Sequence, residues 1–65
     1  MKKYQYKGNN IRLVVEEDCV GFYLIFYPNV NSSWSEKDYL LDTLDDAFDF
    51  AKDEYGVHKH DWIEL

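Results

Sequence analysis

Between Thr43 and Gly56 five apolar residues, Leu44, Ala47, Phe48, Ala51 and Tyr55, recur at spacings of 3, 1, 3 and 4. That is the period of one helix face, and it is the strongest helix signal on the chain. The spacing predicts an amphipathic helix over residues 43 to 55, which any sheet formed upstream must use as its cover. Thr43 is placed to cap the first turn, with Asp46 three residues on as the acidic member of a capping box. Asp45 and Asp46 favour the positive end of the helix dipole. Gly56 supplies a left-handed stop, after which Val57 is expected to pack back in the manner of a Schellman cap.

At about 100° per residue, Asp45, Asp46, Asp49 and Asp53 fall opposite the apolar stripe, with Lys52 as their flanking cation. Phe50 lies off the stripe among these acids. Either the C-terminal segment, with Trp62, folds over it, or it is an aromatic anchor inside an acidic binding face.

Everything before the helix reads as strand and turn. Tyr4 and Tyr6 alternate with Gln5 and Lys7, and Gly8-Asn9-Asn10 tolerates the positive φ of a tight turn. Ile11 to Glu16 then puts Ile11, Leu13 and Val15 on one face and Arg12, Val14 and Glu16 on the other. Glu17-Asp18 is expected to turn. Val20 to Tyr27 is apolar on both faces, as a central strand is, and Pro28 ends it. Pro28 to Ser33 is linker-like, and Glu36 to Leu41 reads as a charged edge strand. The expected fold class is α+β: an antiparallel three- to four-stranded sheet in β-β-β-β-α order packed on one C-terminal helix, with a short C-terminal extended segment, all in one domain over residues 1–65.

A chain of 65 residues buries only about 60% of its unfolded surface. The twelve aromatics help so small a core, because each brings a large buried area. With 46% hydrophobic and 31% charged residues the composition is that of a globular domain. The longest near-apolar run, Val20 to Tyr27, is far short of the ~20 residues a membrane-spanning helix needs, and the basic start, with no apolar run behind it, does not read as a signal peptide.

One helix covers one face of such a sheet, yet Tyr23, Ile25, Tyr27 and Val14 point to the other. A dimer interface, a partner site or a further layer is therefore expected there.

The chemistry-bearing residues form no catalytic pattern. The acids on a convex helix face lack the pocket that raises one carboxyl's pKa for acid–base work, and no glycine-containing loop makes an EF-hand. His58-Lys59-His60-Asp61 brings two imidazoles close without a recognised zinc spacing, and a surface turn after the helix is the favoured reading. Cys19 follows Glu17 and Asp18, which would raise a thiol's pKa, so a small residue at a strand start is expected and not a nucleophile. A single cysteine also excludes an internal disulfide and fits a reducing cytoplasm. No cofactor, no metal and no enzymatic activity are expected.

The charge is uneven. Residues 1 to 15 carry Lys2, Lys3, Lys7 and Arg12 and no acid, a sum of +4, while the rest carries thirteen acids and three lysines, a sum of −10. The basic hairpin with Tyr4 and Tyr6 could track a nucleic-acid backbone, but the −10 remainder repels phosphate and weakens that reading.

The stretch Asp38-Tyr39-Leu40-Leu41-Asp42-Thr43-Leu44-Asp45-Asp46-Ala47-Phe48-Asp49-Phe50-Ala51, with Glu54-Tyr55-Gly56-Val57 and Trp62 after it, resembles the ending of small uncharacterised bacterial proteins, some of the immunity-protein kind. The resemblance covers about the last third of the chain. It implies a bacterial cytoplasmic protein that acts by binding another protein.

The leading expectation is thus a non-enzymatic protein-binding or inhibitory module whose acidic helix face, Asp45, Asp46, Asp49 and Asp53 with Phe50, docks a basic protein surface. A structural homodimer through the sheet face bearing Tyr23 and Tyr27 is the alternative, and nucleic-acid binding by the N-terminal hairpin ranks below it.

Overall fold

A computed structural model describes residues 1–65. Four strands, β1 (Lys3–Lys7), β2 (Arg12–Asp18), β3 (Gly21–Tyr27) and β4 (Lys37–Leu41), precede the helix α1 (Leu44–Tyr55). A short 3-10 turn (Lys59–Asp61) and a fifth strand, β5 (Ile63–Glu64), follow it. The sheet order is β4-β3-β2-β1-β5 and every pairing is antiparallel. The fold is α+β as the pattern requires, with five strands instead of three or four. The C-terminal segment accounts for the difference: Ile63 pairs with Gln5, and the Leu65 amide donates to the Lys3 carbonyl at 2.8 Å.

The helix begins and ends where its sequence signals place it, although Asp46 does not return a bond to the Thr43 amide and so only half of the capping box forms. Thr43 Oγ1 accepts from the Asp46 amide at 3.0 Å, and Gly56 takes a left-handed φ of 70°. Its closing bond runs from the Gly56 amide to the Lys52 carbonyl at 3.0 Å. A second bond, from the Val57 amide to the Ala51 carbonyl at 3.3 Å, joins it, and Val57 packs back as expected, only 2% exposed.

Two turns differ from expectation. None of Gly8, Asn9 and Asn10 has a positive φ. A four-residue loop, closed by the Gly8 amide on the Ile11 carbonyl at 2.9 Å, connects the strands without needing one. The second turn is not at Glu17-Asp18. Those residues extend β2, with Asp18 paired to Gly21, so the turn falls on Cys19-Val20 and Cys19 is an exposed turn residue and not a strand start. Gly21 makes this possible, because its φ of 154° is one that only glycine adopts without strain.

Strand alternation sorts the side chains. Leu13, Val15 and Leu24 are fully buried and pack with Ala47, Phe48, Ala51 and Val57. The two helix alanines remove bulk where α1 meets the sheet, and aromatics fill the margins. Tyr4 meets Phe48 edge-on at 5.5 Å between ring centroids, and Phe26 stacks on Tyr55 at 5.1 Å. Trp62 closes the β1 side against Phe48 at 5.3 Å and Tyr6 at 6.4 Å.

Candidate protein-binding surfaces

The acids of α1 do not form one uniform row. Asp45, Asp46, Asp49 and Asp53 are all exposed, as the helical spacing predicts. Asp45 and Asp49, however, border a groove of about 500 Å³ whose far wall is the turn bearing His58, Lys59 and His60. Lys59 Nζ lies 3.7 Å from Asp45 Oδ1, so the groove edge is partly neutralised. Asp46 and Asp53 have no ion-pair partner within 4.0 Å.

Phe50 is not an anchor isolated among these acids, nor does Trp62 cover it. Its ring packs on Tyr39 of β4 at 4.5 Å between centroids, at the rim of the core. An ideal wheel puts Phe50 off the stripe, but the sheet beneath is wide enough for its edge strand to meet a second side of the helix. What this face exposes beyond Phe50 is therefore its carboxylates.

The turn after the helix is a compact unit. The His58 amide donates to Asp61 Oδ2 at 3.0 Å, and the Asp61 amide donates to the His58 carbonyl at 2.9 Å. This brings the two imidazoles into a parallel stack at 5.7 Å. No set of three or more His, Cys, Asp or Glu side chains is arranged to hold a metal ion.

The second surface is the sheet face away from the helix. In register across it run Lys7, Arg12 and Tyr27; Ile63, Gln5, Val14, Ile25 and Asp38; and Lys3, Glu16, Tyr23 and Leu40. Tyr23 and Tyr27 thus sit on the opposite side of the molecule from the acidic helix, and the predicted contact residues divide between two separate surfaces. No layer covers this face. Val14 is nevertheless only 3% exposed, shielded by the longer side chains of its register neighbours Gln5 and Ile25. Arg12 lies over the Tyr27 ring at 3.8 Å and donates to the Ser32 carbonyl at 2.8 Å, tying the Pro28 to Ser33 segment to the corner of this face.

Sequence reasoning missed several exposed apolar contributors, namely Leu40, Ile63 and Leu65, and Trp34 in the loop before β4. The alternation of residues 38 to 41 already carried the signal for Leu40; the other three depend on where β5 and the loop come to lie.

At the β4 edge the Tyr55 phenol is pushed well above its ordinary pKa, first by burial and then by its contact with the Tyr39 hydroxyl, 3.4 Å away. Because the raised pKa belongs to the folded state, this stabilisation is fully present below the unfolded value of about 10 and is lost as pH climbs above it. Tyr55→Phe is therefore expected to cost only about 0.5 kcal/mol at pH 8, the contact being long, and to flatten the fall in stability between about pH 10 and 11. Urea titrations at both pH values test this, and an unchanged slope would refute it.

Comparison with protein-family models, with curated proteins and with solved structures finds no match to this chain.

Proposed function

We propose that this chain is a non-enzymatic protein-binding module of the bacterial cytoplasm, in which the acidic face of α1 docks a basic partner surface. The supporting observation is that Asp45, Asp46, Asp49 and Asp53 all stand exposed on one rigid helix while only Asp45 has a counter-charge. Carboxylates held this way set up a net negative field, reduced on the Asp45 side by Lys59, that steers an oppositely charged partner before contact. Building them on a capped helix also presents them without loop-ordering cost. An exposed, unpaired Cys19 suits a reducing compartment. The resemblance of the last third to immunity-type proteins supports an inhibitory role, with a basic toxin as the kind of partner such a face fits.

The test is kinetic. A partner captured on the wild-type protein is purified, and its association rate is measured against wild type and against Asp46→Lys/Asp49→Lys at two salt concentrations. The double reversal is expected to slow association about tenfold at low salt and to flatten the salt dependence. Equal on-rates would exclude the helix face as the docking surface.

A further inference from the structure

The helix-free sheet face carries a charge layout that is complementary to itself. On it β1 presents the cation Lys7, with Lys3 paired to Glu16 of the same copy at 3.3 Å, β4 presents the acid Asp38, and the strands between them present Val14, Ile25, Tyr23 and Tyr27 around Arg12. We propose that a second copy of this chain packs face to face on this surface, about a two-fold axis parallel to the strands and midway between β2 and β3.

The layout selects that axis. A two-fold along the strands lays β4 of one copy over β1 of the other, and β3 over β2. Asp38 then lies over Gln5 of the facing β1, flanked by Lys3 and Lys7 one row to either side, while Ile25 meets Val14 and Tyr27 meets Arg12, at the ~10 Å spacing of stacked sheets. A two-fold across the strands would lay β1 on β1 and β4 on β4, opposing like charges in both places. Leu40 is 50% exposed in the single chain, and Tyr23, Ile25 and Tyr27 are only half-buried, so all four gain burial.

The size of the face sets the strength. At ~4.8 Å per strand the four opposed strands, β1 to β4, span roughly 20 Å, enough to bury about 500 Å² from each copy. The resulting total is close to the ~1,000 Å² that separates specific interfaces from casual contacts, so a dissociation constant on the order of 10 μM follows and not a nanomolar one. This pairing does not depend on the helix-face reading, since α1 lies on the other side of the sheet and is left free in both copies.

Sedimentation equilibrium between about 1 and 500 μM tests it, with folding of each variant checked by circular dichroism. The weight-average mass of wild type is expected to rise from 7.8 kDa toward twice that value. Ile25→Lys is expected to stay at monomer mass throughout. Lys7→Glu should weaken association about tenfold, and Lys7→Glu/Asp38→Lys, which keeps the wild-type net charge, should restore it. Lys7 and Asp38 are both exposed, so this pair reads out the interface even if Ile25→Lys fails to fold. A wild-type chain that remains monomeric at 500 μM, a folded Ile25→Lys that dimerises normally, or a double charge swap that rescues nothing would each overturn the proposal. Asp46→Lys/Asp49→Lys should dimerise like wild type, so loss of partner binding and loss of dimerisation are separable.

Discussion

Leu24→Ala is expected to lower the unfolding free energy by about 3–4 kcal/mol in urea titration, enough to leave a measurable unfolded population at room temperature. Leu24 is fully buried in β3, with Val15 of β2 and Tyr39 of β4 in register on either side and α1 packed across it. Neighbours on both flanks are fixed by backbone pairing, so the site cannot collapse around a missing isobutyl group, and the cavity term adds to the lost transfer energy. A domain of this size has a reserve of roughly 5 kcal/mol, so one such truncation consumes most of it. A loss under about 1.5 kcal/mol would mean that β3 is not the centre of the core.

Gly21→Ala is expected to act through backbone geometry instead of packing. A Cβ at this position would lie 2.4 Å from the Leu41 carbonyl oxygen, and the φ of 154° is itself unfavourable for any side chain. Strained backbone of this kind costs about 1–3 kcal/mol. Relieving the clash requires moving the end of β4, where Phe22 pairs with Leu41. A combined loss of about 3 kcal/mol corresponds to roughly 12–24 °C in melting temperature for so small a domain. A melting temperature within 2 °C of wild type would show that the strand shifts freely and that the tight approach is not required.

Features set by local chemistry are legible in the chain, and features set by the meeting of distant segments are not. The helix, its Thr43 cap and its Gly56 stop follow from periodicity and side-chain reach. The two-faced division of β2 and β3 follows from alternation. By contrast, β5 consists of two residues, Ile63 and Glu64, both largely exposed, so no pattern marks it. It is a strand only because the helix returns the chain beside β1. The place of Phe50 is hidden for the same reason, since its contact with Tyr39 exists only once the edge strand meets the helix. Cys19-Val20 lost to Glu17-Asp18 as the expected turn because acidic residues are common in turns, whereas the deciding residue was Gly21. Of the candidate site, the exposure of the four helix acids was legible. The Lys59 counter-charge on Asp45 and the stacking of His58 on His60 depend on how the turn folds back.

The order of the strands also bears on how the molecule is assembled. Strands β1 to β4 form a meander in which each pairs with its sequence neighbour, so three successive hairpins close over local loops of four, two and nine residues, at an entropic cost that grows only slowly with loop length. Only β5 must find its partner across nearly the whole chain, and it does so through two residue pairs, Tyr4 with Glu64 and Gln5 with Ile63. The meander and helix are thus a quickly formed unit, and β5 is its last addition and its first departure. Each time it leaves, the free edge of the sheet passes from β5 to β1, and the lysine-bearing strand becomes the one open to another backbone.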